Sequence, residues 1–182
     1  VWSDKTTTAK SISWKINQKR ITITAKDQTV NYGRAISKGI DQVTISGQVS
    51  GHVLTAITLT QSTTNAPGGT ISASGAKILS GSTDVTGNYA ITYAAGTLTI
   101  NAKTLTIPSS PSAKTYNGNP QGSGITCPAG STAGGTQSAT NQGTYTQTCT
   151  LNSTSNYVWS DKTTTAKSIS WKINQKRITI TA

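Results

Sequence analysis

Short runs in which apolar and polar residues alternate recur along the whole chain. In Ser11–Ile16 the apolar Ile12, Trp14 and Ile16 alternate with Ser13 and Lys15, the period of two that gives a strand one buried and one solvated face. Leu98 and Ile100 follow the same rule. In Gly143–Leu151 the residues Tyr145, Gln147 and Cys149 share one face and threonines take the other, which points Cys149 inward. Asp41–Gln48 and His52–Thr60 read as a hairpin about Gly47–Gly51, and Pro67-Gly68-Gly69 and Asn117-Gly118 read as turns because glycine accepts positive φ. Six or seven such short strands in each of two successive stretches predict immunoglobulin-like β-sandwiches.

The pattern also repeats at long range. Val1–Ala25 reads VWSDKTTTAKSISWKINQKRITITA, and Val158–Ala182 repeats it without a change, so the period, 158 minus 1, is 157 residues. That is far longer than a solenoid repeat and suggests whole domains in series. Inside the period, NYAITYAAGTLTI-NA-KTLTI (Asn88–Ile107) echoes NYVWSDKTTTAKSISWKI-NQ-KRITI (Asn156–Ile180). Each is an Asn-Tyr pair, a strand, a two-residue join and a new strand. The reading is therefore three pieces: 1–18 as closing strands of a preceding domain, a sandwich at 19–102, and a second at 103–182 whose residues 176–182 open the next repeat. Domains of about 70–85 residues are small but fold alone.

The joins contain no Gly/Ser linker, so the domains have little freedom to swing and the expected shape is a semi-rigid rod. On this reading the chain is a window cut from a continuous array, and residues 1–17 pack against the preceding repeat. Strand exchange between two copies is the competing explanation.

Composition sharpens the fold class. Hydrophobic residues make up 33%, Phe and Met are absent, and the five acids are all Asp; the Thr-, Ser-, Gly- and Ile-rich remainder favours strands and turns, hence an all-β chain. No apolar run is long enough for a membrane span, and no signal peptide is visible. The net charge is +11. The repeated end carries five Lys/Arg and Asp161, so one period carries +7, enough to attract anionic polymers if many periods follow one another. The longest basic cluster is only Lys19-Arg20 and its copy, and no nucleic-acid motif accompanies it.

Little in the chain points to chemistry. His52 is the single histidine, the five Asp are scattered, and there is no calcium loop, CxxC or paired-carboxylate signature, so no catalytic residue, metal ligand or cofactor is expected. An isopeptide bond normally uses a buried acid, and these are too few. Cys127 and Cys149 would close a loop of about 23 residues, stabilising by about 3 kcal/mol and implying an oxidising compartment; two buried free thiols are the alternative. Among the large aromatics, Trp14 and its copy Trp171 read as core. Trp2 and its copy Trp159 are the candidate ligand contacts, since an indole can stack a sugar ring. Asn152-Ser153-Thr154 is a glycosylation sequon where the host uses one.

The strings ITITAKDQTVNYG (Ile21–Gly33) and GNYAITYAAGTLTINA (Gly87–Ala102) resemble the two ends of the bacterial MBG repeat of the YGX type. RAISKGIDQVTISGQ departs from it by lacking a Pro-rich continuation. The second stretch is similar to a related bacterial Ig-like tandem repeat through TYNGNPQ, GTYTQTCTL and Asn156-Tyr157. The resemblance implies a stalk or fibril of a large secreted or surface-anchored adhesin, extracellular, with adjacent repeats as partners and fibre strands or anionic surface polymers as further ones. It assigns no catalytic residues. The alternative is a module that binds glycans or polyanions through Trp159 and the basic residues.

Overall fold

The computed structural model describes residues 3, 7, 9 and 11–181; Trp2 and Asp4 lie outside them. Sixteen strands follow one another: β1 Lys19–Ala25, β2 Gln28–Asn31, β3 Val43–Ser46, β4 His52–Gln61, β5 Gly68–Ser80, β6 Thr83–Asp84, β7 Tyr89–Ala94, β8 Gly96–Asn101, β9 Lys103–Leu105, β10 Lys114–Thr115, β11 Gln121–Gly122, β12 Ser131–Gly135, β13 Ser138–Ala139, β14 Gly143–Leu151, β15 Tyr157–Trp159 and β16 Lys167–Asn174. Two single 3-10 turns, Ile40–Gln42 and Thr86–Asn88, are the helical residues among those described. With 49% of the described residues in strands of several sheets, the fold is all-β, consistent with a β-sandwich.

The threonine-isoleucine alternation explains why. In β1 the residues Ile21, Ile23 and Ala25 are buried while Thr22 and Thr24 are not; in β8 Gly96, Leu98 and Ile100 are buried and Thr97 and Thr99 exposed. β5 keeps the rule by breaking phase: Ile71 and Ala73 face the core, then Ile78 does, and Gly75 at φ 61 between them absorbs the shift that a side chain would resist.

Two compact units result. One is built from the chain up to Lys26, Lys38–Thr60 and Ser72–Gly96, the other from Asp27–Ser37, Gln61–Ile71 and the chain from Thr97 onward. The first holds the sheet β3-β1-β7, with β1 antiparallel to β3 (Ile23↔Ile45) and parallel to β7 (Lys19↔Tyr89). The second holds the sheet β10-β16-β14-β12 and the pairs β11-β13 and β15-β9. The remaining strand path runs β2-β8-β5-β4.

Pairings recur in kind. β9 lies parallel to β15 with Lys103↔Tyr157, as β1 lies parallel to β7 with Lys19↔Tyr89. β10 lies parallel to β16 with Thr115↔Asn174, as β2 lies parallel to β8 with Asn31↔Asn101. The echo of Asn88–Ile107 in Asn156–Ile180 is thus a repetition of strand pairing as well as of letters.

Two expectations are corrected. β3 and β4 do not form a hairpin: β3 pairs with β1, and β4 lies in the path with β5, so the turn at Gly47–Gly51 carries the chain from one sheet to another. Local alternation predicts both strands but not whether they bond each other. Nor is the face of Ser11–Ile16 buried. Ile12, Trp14 and Ile16 are 82%, 80% and 79% exposed, whereas their copies Ile169, Trp171 and Ile173 are 4%, 2% and 0% exposed. The letters are the same; among the described residues only the second copy has strand neighbours, β14 on one side and β10 on the other.

Candidate functional site

Both cysteines belong to one apolar cluster. Cys149, Leu105, Leu151, Trp159 and Ile169 are buried together, with Ile107, Ile125, Cys127 and Tyr157 packed around them, and Cys127 and Cys149 are joined by a disulfide with Cα atoms 5.6 Å apart. Beside them Gln147 is buried on the inward face of β14; its amide donates to Ile125 O at 3.2 Å and its carbonyl oxygen accepts the Ser123 hydroxyl, so no polar atom is left unpaired there.

Of the candidate ligand contacts, Trp2 lies outside the described residues and Trp159 is fully buried. Its indole N–H donates to Thr165 O at 2.9 Å, and its backbone brackets a turn in which Trp159 N–H donates to Thr163 O and Lys162 N–H to Trp159 O. The ring presents no face to solvent, so sugar stacking has no surface here. The isolated reading of Trp159 missed this because a three-residue strand shows too little alternation to separate core from surface.

The same turn holds the one strongly shifted carboxyl among the described residues. Lys167 Nζ donates to Asp161 Oδ2 at 2.6 Å, and the Thr163 hydroxyl and N–H donate to Asp161 Oδ1 at 2.8 and 3.1 Å. These contacts, Lys167 first, hold the Asp161 pKa at about 2, against the ordinary 3.8, because all of them favour the charged form. A carboxyl depressed in the folded state contributes stability above its unfolded pKa and loses it as pH falls towards the folded one. An NMR titration of Asp161 is therefore expected to show a midpoint near 2, moving up towards 3.8 in Lys167→Ala; an unchanged midpoint would show that Lys167 is not the cause.

The most elaborated polar cluster lies where β8 passes into β9 with Ala102 alone between them. Asn156 sits at its centre, buried. Its carbonyl accepts Lys103 N–H at 2.8 Å, its side-chain oxygen accepts Ala66 N–H at 2.8 Å and its amide donates to Asn65 Oδ1 at 2.9 Å. Next to it the Tyr157 ring meets Tyr32 edge-on, centroids 5.2 Å apart, and Tyr32 N–H donates to Asn101 O. Gly130 lies against the same ring: a Cβ there would stand 2.5 Å from it, at a backbone φ of 102. The sequence flagged the Asn-Tyr pair as a recurring landmark, but not that its asparagine ties down the loop before β5.

Each unit carries an open pocket. One is lined by Gln18, Lys19, His52, Gly87, Asn88 and Tyr89 among others; there the Tyr89 hydroxyl accepts Val49 N–H and shares a 2.7 Å hydrogen bond with His52 Nδ1. The other is lined by Tyr116, Asn141, Gln142, Gln175 and Lys176. Neither brings a carboxylate to a nucleophile. Among the described residues no group of three or more His, Cys, Asp or Glu could hold a metal ion, and no helix is long and apolar enough to cross a membrane. Against models of known protein families and against curated proteins, the chain matches none.

Proposed function

We propose that this chain is a structural module: two immunoglobulin-like sandwich domains in tandem, repeated every 157 residues into the semi-rigid stalk or fibre of a bacterial cell-surface or secreted protein of the adhesin kind, without catalysis. The observation that carries the reading is the complementary burial of the two copies of one string. In the first copy Ile12, Trp14 and Ile16 are bare and the opening strand is buried, Ile21 at 3% and Ile23 at 0% exposure; in the second the closing strand is buried and the opening residues Ile178 and Ile180 are 79% and 88% exposed. A bare apolar alternation at each end, matching in sequence a buried one at the other, suits a chain whose neighbours before and after are further copies of itself.

Further support comes from the join. A single residue separates β8 from β9, and Asn156 is hydrogen-bonded to Lys103 and Ala66 within the second unit, which leaves no free Gly/Ser linker at that point in the chain. The disulfide fits an oxidising, extracellular setting, and the MBG-type resemblance of Ile21–Gly33 and Gly87–Ala102 points the same way. The binding-module reading loses its principal residue with the burial of Trp159. Small-angle scattering tests the proposal. A compact globule of this length has a radius of gyration of about 16 Å, the stalk reading requires a clearly larger value, and a value near the compact one overturns it.

A further inference from the structure

The two open pockets share an address. Gln18-Lys19 lines one and Gln175-Lys176 the other, and these are the same repeat position, 157 residues apart. We infer that they are the two halves of a single junction: Tyr116, Asn141 and Gln142 of one period form the seat for the Gly87–Tyr89 edge of the following copy. The inference rests on the tandem-array reading and names the partner and the residues of its contact.

The template is the contact inside the second unit at Asn101–Lys103. There Tyr32, whose N–H bonds Asn101 O at the end of β8, and Asn65-Ala66, which lead into β5, together receive Asn156-Tyr157. Every member on the receiving side has a counterpart at the other pocket. The strand order β10-β16-β14-β12 corresponds member for member to β2-β8-β5-β4, and Tyr116 N–H bonds Asn174 O at the end of β16. Asn141-Gln142 lead into β14 as Asn65-Ala66 lead into β5.

The entering side matches as well. Asn88-Tyr89 stands to Lys19 in the β1–β7 register as Asn156-Tyr157 stands to Lys103 in the β9–β15 register. What differs is occupancy: Asn156 is buried by its partners, while Asn88, Asn141 and Gln142 are exposed and Tyr116 is 38% exposed. Asn88, Asn141, Gln142 and Tyr116 thus stand open where their counterparts are engaged, while Tyr89 is already packed on His52 in its own unit; the sequence of the next copy supplies the Asn-Tyr pair.

The test uses a chain lengthened by one period. Asn141→Cys in its first period and Asn88→Cys in its second, both exposed positions, are expected to form an oxidative cross-link seen as a mass change; Ser82→Cys, also exposed, in place of Asn88→Cys should not link. In the unsubstituted lengthened chain, backbone amides at the second period's Gly87–Tyr89 should exchange about tenfold more slowly than the same amides in the single period. Extended scattering with no cross-link and no protection overturns this junction and leaves the stalk standing. Compact scattering overturns the stalk itself.

Discussion

Trp171→Ala is expected to cost about 3–5 kcal/mol of stability, the usual range for emptying a buried tryptophan site, while Trp14→Ala in the same chain should change it by no more than about 0.5 kcal/mol. The two positions carry one sequence, so helix or strand propensity and unfolded-state effects are matched and packing alone separates them. Trp171 lies under the tilted ring of Tyr145, centroids 4.9 Å apart, and donates its indole N–H to Thr136 O at 2.8 Å. Truncation leaves both a void and an acceptor without its donor. Trp14 is 80% exposed and loses neither. Urea unfolding of the two variants beside the parent chain measures the difference. Comparable losses at both positions would mean that the N-terminal copy enters the slot in solution, as strand exchange between two chains requires, and would remove the complementary-burial argument.

That pair of residues also shows how far the sequence can be read. Alternation told correctly which side chains of SISWKIN share a face, because the pleat fixes that locally. It could not tell which copy finds a partner, because burial is a property of the neighbouring strand and not of the string. The same limit explains β3 and β4: each was legible as a strand, yet β3 took β1 as its partner. Residues joined by chemistry rather than by pattern were easier, and Cys127 was legible with Cys149 because only two cysteines exist. The Asn156 contacts were not legible at all. A polar residue in a short connection carries no period, and its partners Asn65 and Ala66 lie 91 and 90 residues away.

Opening the Cys127–Cys149 bond is expected to lower stability by about 3 kcal/mol, since 22 positions separate the two residues and the crosslink restricts the unfolded chain by a loop of that size. The lean core makes the loss large in proportion, because native stabilities are themselves only about 5–15 kcal/mol. Position adds to it. Cys149 is buried beside Leu105, Leu151, Trp159 and Ile169, and its strand pairs in register with both Ala133 and Lys167, so slack introduced at Cys127 frees the segment before β12 from the centre of the sheet. Cys127→Ala combined with Cys149→Val keeps the inward site apolar and isolates the crosslink from the volume it fills. The double variant and the reduced parent should both unfold earlier in urea, and NMR shifts should concentrate at Trp159, Leu105 and Ile125 while Ile23 and Ile45, paired in the other sheet, stay in place. An unfolding midpoint indifferent to reductant would show that packing alone holds this cluster, and the link between the cysteines and an oxidising location would lose its energetic ground.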